Sequence, residues 1–342
     1  MTRTLLSLTA AALVAALAHT AAADCTIAYP MAAKKYWPTS AGYVPKAGDH
    51  RCDFAGPNNS VYDCQLSGWL ITPTSTGAGN LDAVIYIDDA FRNADRHHAC
   101  ETINAMVARG FVVFYADQRG QWDYSGGGSY AFHNTGYFTW DWANMNASTF
   151  VPADAIATDY LADQAADLDY AVTMLLGLKA GSNPLVDPHH ITVMGREDGA
   201  ITALATPAHL SSGHHVAAVV DLGGGSRHWA TSTWHYWNDA IQADAAACDA
   251  PMFIQEVGNE SPNGSYWSAM AAFNGATASD AAASAKLALY AGFTPSADEQ
   301  ATCNSSGWDD QLCGNYWFAN DHALVSRWWQ VAYDWLYRVD GT

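Results

Sequence analysis

Positive charge is scarce in this 342-residue sequence: 15 Lys and Arg stand against 34 Asp and Glu, for a net charge of −19. Such a chain repels polyanions, which argues against nucleic acid and anionic lipid surfaces as partners. Charge of either sign is sparse, at 14% of residues, while half of the residues are hydrophobic. That balance supplies a sizeable core and argues against disorder. After the N-terminal stretch, no apolar run approaches the length of about 18 residues that spans a bilayer. No two cysteines stand at C-x-x-C spacing, which argues against zinc. No linker or repeat divides the chain, so residues 24–342 are expected to form a single domain.

What the chain does have begins with an export signal. Arg3 precedes an apolar run over residues 5–18, and Ala21, Ala22 and Ala23 follow. A basic start, an apolar stretch too short to span a bilayer and an A-x-A site together make a secretory signal peptide. Residues 1–23 are therefore expected to be cleaved, leaving a secreted or periplasmic chain with no membrane anchor. Asp24 before Cys25 fits a lipoprotein signal poorly. An oxidising compartment makes disulfides the default for Cys25, Cys52, Cys64, Cys100, Cys248, Cys303 and Cys313, and seven cysteines leave at least one unpaired within the chain. Cys303 and Cys313 flank a short polar loop and are the expected pair. One further pair is expected among Cys25, Cys52 and Cys64, with the partners open. The 14 Trp and 17 Tyr suit aromatic-lined pockets and a dense core equally well.

Strand and helix patterns alternate along the rest of the chain. Residues 61–72 contain an extended stretch that ends at Pro73. Residues 83–87 (AVIYI) and 111–116 (FVVFYA) are short continuous apolar runs, as buried strands require. Between them, residues 100–109 read as a helix stopped by Gly110. A Gly-rich loop follows at 117–128, and the aromatic segment 130–150 is expected to form a small lid. A helix over 159–178 stops at the loop containing Gly181 and Pro184. Then come a strand at 191–194, a helix at 200–205, strands at 216–222 and 252–257, and a long amphipathic helix at 323–339. Repeated strand–helix units imply a mostly parallel central sheet with helices on both faces.

Between the strand at 191–194 and the helix at 200–205 lies Gly195-Arg196-Glu197-Asp198-Gly199. A tight strand-to-helix elbow brings the two backbones together, so the residues two positions either side of its apex must be small. The G-x-E-x-G spacing meets that need and puts Glu197 at the apex.

The chain resembles the α/β-hydrolase superfamily, in particular its dienelactone-hydrolase-like and secreted esterase–peptidase branches. Besides the elbow, three segments carry the resemblance. Residues 68–73 (GWLITP) are similar to an early strand of those enzymes. Asp117-Gln118-Arg119-Gly120, followed by Ser125-Gly126-Gly127, resembles their Gly-rich loop. Residues 251–260 (PMFIQEVGNE) resemble the strand and turn that carry the triad acid, and His322 stands before the last helix, where the family keeps its histidine. The resemblance implies the α/β-hydrolase fold and a catalytic set of Glu197, Glu260 and His322, in the family's chain order, with Glu256 as the fallback acid.

Two departures mark the chain. Glu197 stands where the family has Ser or Cys, and Asp88-Asp89-Ala90 stands where lipases and esterases have a His-Gly type sequence. Oxyanion donors are backbone N–H groups, so Asp89, Ala90 and Asp198 still fill that role by position. Haloalkane-dehalogenase and epoxide-hydrolase relatives place Asp at the elbow, and a carboxylate is a competent covalent nucleophile. The resemblance therefore implies a hydrolase of an ester, lactone or related bond, with His322 activating water and Glu260 orienting it. The alternative is a catalytically inactive binding protein of the same fold, with Glu197 paired to Arg196 or Arg119. Arg119, Trp122, Tyr124 and Trp140 are the candidate contacts for a small-molecule substrate or ligand. No cofactor or metal is implied: Asp88, Asp89, Glu197, Asp198 and Glu260 follow no calcium-loop spacing. The tandem histidines at 97–98, 189–190 and 214–215 read as surface or loop residues, because adjacent side chains project apart.

Overall fold

The computed structural model describes residues 26–35, 67–87, 96–116, 154–196, 198–222, 234–257, 265–278, 286–290 and 335. Among these, eight strands form one sheet: β1 (Met31–Lys35), β2 (Ser67–Ile71), β3 (Leu81–Ile87), β4 (Val112–Ala116), β5 (Val186–Arg196), β6 (Ala218–Leu222), β7 (Met252–Val257) and β8 (Lys286–Tyr290). Their order across the sheet is β1-β2-β4-β3-β5-β6-β7-β8. β2 runs antiparallel to both β1 and β4. Every other pairing is parallel. The described helices are α1 (Arg96–Ala108), α2 (Asp154–Gly177), α3 (Asp198–Ala205), α4 (Trp234–Ala247) and α5 (Ser265–Ala278).

Alternation along each strand builds a separate core on either face of the sheet. Ala83, Ile85 and Ile87 of β3, Val112 and Phe114 of β4, and Ile191 and Val193 of β5 pack with Leu168, Val172 and Leu175 of α2 and Leu204 of α3. The intervening Val84, Tyr86, Val113, Tyr115 and Met194 pack with Ile103, Met106 and Val107 of α1 and with Trp335. Both faces are covered, so the central strands are apolar throughout instead of alternating with polar residues. Trp335, helical and buried, stacks on Phe253 with ring centroids 5.3 Å apart. The rest of the helix expected at 323–339 lies outside the described residues, as do residues 130–150, expected to be a lid.

Several expected boundaries shift. The strand expected at 61–72 is described from Ser67 to Ile71, and residues 61–66 lie outside the described residues. α1 starts at Arg96 instead of 100 and ends one residue early, at Ala108. Its end is a Schellman motif, with N–H of Gly110 on Val107 O and N–H of Phe111 on Met106 O. Gly110 takes a φ of 102°, where a side chain is strained. α2 begins five residues before the expected 159 and ends at Gly177. The loop expected around Gly181 and Pro184 is a small hairpin that pairs Lys179 with Pro184 and Ala180 with Asn183. β5 is far longer than 191–194, because the register slips between Val186 and Ile191 and the chain bulges there. β6 starts at Ala218 instead of 216, and β7 spans residues 252–257 as expected.

Four elements carry no sequence expectation: β1, α4, α5 and β8. α4 and α5 bury Ala240, Ala245, Ala272 and Ala276 against one another and the sheet. Alanine-rich packing of this kind gives little contrast between the faces of a helix. β1 is held beside α1 by Asn104, whose Oδ1 accepts N–H of Ala28 at 3.0 Å and whose Nδ2 donates to Thr26 O at 2.9 Å. Cys100, buried in α1, is disulfide-bonded, and Cys248 is a buried free thiol. Desolvation pushes the Cys248 thiol up to about 12, so it stays protonated at neutral pH. The cysteine pairs expected at 303/313 and among 25, 52 and 64 lie outside the described residues. No described helix is long and apolar enough to cross a membrane.

Candidate functional site

β5 ends at Arg196 and α3 begins at Asp198, so a single residue, Glu197, joins strand to helix. The two backbones abut across this junction. A Cβ built on Gly195 would overlap the Gly199 carbonyl and the Ala200 backbone, so no side chain fits at 195. The close approach is the physical content of the G-x-E-x-G spacing. α3 is embedded: Ala200, Thr202, Ala203, Leu204 and Ala205 are all at most 1% exposed. Thr202 Oγ1 donates to Gln164 Oε1 of α2 at 2.6 Å, and Thr206 Oγ1 donates to Thr202 O at 2.7 Å. These bonds fix the helix whose first turn follows Glu197.

The parallel register aligns the carboxyl ends of the strands. Gly195 lies opposite Ile87 on one side and Asp221 on the other. Ile87 also faces Ala116, Leu222 faces both Arg196 and Gln255, and Val257 faces Tyr290. β3, β4, β5, β6, β7 and β8 thus release the chain along one edge, where ligands bind in open α/β sheets. In chain order, Asp88, Asp89 and Ala90 follow β3, and Arg119, Trp122, Tyr124 and Trp140 follow β4. Glu197 follows β5, Glu260 follows β7, and His322 follows β8. All of these candidates lie outside the described residues. Of Asp198 and Glu256 the backbone alone is described: Asp198 opens α3, and Glu256 is in β7, paired with Leu289.

Two polar residues that sequence reasoning passed over, Asp221 and Gln255, sit at the same edge, beside Arg196, which it weighed only as a charge partner for Glu197. Asp221 is fully buried, Gln255 is 1% exposed, and Arg196 is 4% exposed. Asp221 shares a strand face with Val219, on the side covered by α3; Arg196 and Gln255 follow the alternation of Met194 and Phe253 onto the opposite face. Burying such groups is costly unless they are engaged. The signal was present in the sequence: a carboxylate or amide inside the apolar strands AVVDL and MFIQEV. Among the described residues, no group of three or more His, Cys, Asp or Glu converges as a metal site.

Neither a family model nor a curated protein matches the sequence. Solved structures do match in three dimensions. A dienelactone hydrolase-like promiscuous phosphotriesterase, P91, from metagenomic libraries is 16% identical, with a TM-score of 0.51 over 90% of this chain and 98% of that one. The chain has the α/β-hydrolase fold. In this fold the junction of β5 and α3 is the tight strand-to-helix elbow at the carboxyl edge of the sheet. A putative dienelactone hydrolase from Klebsiella pneumoniae matches with 13% identity and a TM-score of 0.49, again over 90% and 98% of the two chains. Acetyl xylan esterase 1 from Thermoanaerobacterium sp. matches with 15% identity and a TM-score of 0.46, over 74% of this chain and 80% of that one.

Proposed function

We propose that this chain is a secreted α/β-hydrolase-fold hydrolase of an ester, lactone or related bond, with Glu197 as its attacking group. The observation that supports this reading most is the contact of Gly195 with Gly199 and Ala200 around a one-residue junction. A backbone squeezed in this way is the device by which the fold presents a nucleophile. Here the presented side chain is a carboxylate.

The proposed route has two steps. A Glu197 carboxylate oxygen bonds to the acyl carbon, and the carbon–oxygen bond to the leaving alcohol breaks. That alcohol departs with a proton from the His322 imidazolium, leaving an acyl–glutamyl anhydride. His322, now neutral and oriented by Glu260, takes a proton from water as the water attacks the anhydride. The anhydride opens to the product carboxylate and free Glu197, and the second water proton leaves to solvent. Backbone N–H groups of Asp89 or Ala90 and of Asp198 are the proposed oxyanion donors. Arg119, Trp122, Tyr124 and Trp140 are the proposed substrate contacts.

The test uses purified mature chain on a panel of esters, lactones, epoxides and haloalkanes. Turnover is expected on at least one class, with Glu197→Gln lowering kcat to background and His322→Ala nearly matching it. Full activity in Glu197→Gln removes the proposal. No turnover across the panel, with small ligands still raising Tm, makes the chain a binding protein of this fold.

A further inference from the structure

At the sheet edge opposite the elbow, the tandem histidines 189–190 and 214–215 divide their work across the pairs instead of within them. His190 Nδ1 lies 2.9 Å from Asp82 Oδ1 at the start of β3. His214 Nδ1 lies 2.5 Å from Asp169 Oδ1 of α2. Asp169 also accepts the Ser211 N–H at 3.1 Å and the Ser211 hydroxyl at 2.5 Å. One histidine of each pair is therefore tied to a carboxylate, and the backbone beside it is held.

The other members, His189 and His215, are both exposed and face each other. His189 Nδ1 is 3.2 Å from His215 Nε2, and the rings stack with centroids 5.4 Å apart and planes inclined by 19°. His189 stands in the β5 bulge, where its own N–H bonds to Asp187 Oδ1 at 2.9 Å. His215 stands in the loop before β6. The bulge turns His189 out of the strand's regular alternation.

Two imidazole nitrogens bound to one tetrahedral ion at about 2.0–2.1 Å stand about 3.3 Å apart. The spacing of 3.2 Å between these two nitrogens is close to that span. Imidazole is a ligand for borderline ions such as zinc, copper and nickel. The carboxylates of Asp82, Asp169 and Asp187, bonded to residues of the two pairs, make the local field favourable to a cation.

We infer that His189 and His215 form a two-imidazole site for a divalent transition-metal ion, with water completing its coordination. Without metal, the two nitrogens share a proton in an N–H···N contact. On binding, that proton moves to the outer nitrogen of the donor ring, and both facing lone pairs turn to the ion. The bound ion ties the β5 bulge to the loop before β6, far from the elbow.

The experiment titrates untagged mature chain with ZnCl2 by calorimetry and reads one equivalent of Cu²⁺ by electron paramagnetic resonance. One saturable zinc site is expected, weakened about tenfold or more in both His189→Gln and His215→Gln. Nitrogen couplings from two imidazoles are expected in the unmutated chain, and from one in either variant. The copper spectrum of the unmutated chain tests the site even if a variant fails to fold. No saturable zinc site, a copper spectrum without two nitrogens, or affinity unchanged in both variants overturns the inference.

Discussion

A methyl added at Gly195 would stand 2.2 Å from the Gly199 carbonyl oxygen and 2.5 Å from the Ala200 α-carbon, so it must push β5 and α3 apart. Both are anchored: Val193 and Met194 are fully buried in opposite cores, and α3 is bonded to α2 through Thr202 and Gln164. Relief by movement is therefore expensive. Gly195→Ala is expected to cost about 3 kcal/mol or more of folding stability, the upper end for overpacking. Urea unfolding measures it, and a loss under about 0.5 kcal/mol, the range of an ordinary surface change, means that the two backbones do not touch. Here the sequence could be read at the level of single residues, because a steric requirement leaves a glycine. Asp221 and Gln255 were harder to read. A polar residue within an apolar strand declares its burial but not its partner.

Elements were legible where a local signal is strong. The apolar runs of β3, β4 and β7 have no exposed face, and Gly110 closes α1 with a φ that other residues resist. Gly110→Ala is expected to lower stability by about 1 kcal/mol, from strain at the left-handed position of the Schellman motif. Chemical denaturation checks it; a neutral or stabilising result removes glycine's conformational role there. The elements that escaped notice lack such signals. α4 and α5 pack through alanines, and β1 is a short edge strand whose Ala32 and Ala33 are exposed. β5 was cut short because its bulge interrupts the apolar pattern at Asp187, Pro188, His189 and His190.

Over the whole molecule the two edges of the sheet differ in character. The carboxyl edge carries the elbow and the chain exits of six parallel strands, while the amino edge is laced by histidine–carboxylate contacts. His209 Nε2 meets Asp244 Oδ1 at 3.0 Å, joining the turn after α3 to α4. The hydrogen bond to Asp244 raises the His209 pKa from 6.5, against burial, which lowers it. The folded state thus holds this proton more tightly than the unfolded chain. Its contribution to stability is fully present below the unfolded value of about 6.5 and fades as pH rises through the raised folded value. The stability lost in Asp244→Asn is therefore expected to be larger at pH 6 than at pH 9, by denaturation at both. An equal or growing loss at pH 9 contradicts the pair. Asp169 has the opposite sign. Burial opposes its charge, but the bonds from Ser211 and His214 prevail and lower its pKa from 3.8. What it adds is present above that unfolded value and is lost as pH falls through the folded one.

The sequence by itself determined that apolar strands alternate with helices in a layered α/β fold, and that Gly195 and Gly199 bracket a tight strand-to-helix junction. These are properties of chain neighbours, since side-chain period, turn chemistry and steric room are set within a few residues. The tertiary structure decided the strand order, with β4 placed between β2 and β3, and the register that brings Ile87, Gly195 and Asp221 abreast. It also decided which histidine meets which partner. Tandem histidines share a backbone but project apart, so each finds its contact on an element that is remote in sequence: His190 on Asp82, His214 on Asp169, and His189 on His215. Such pairings depend on how strands and loops settle against one another, and that is fixed by packing across the sheet instead of by local pattern.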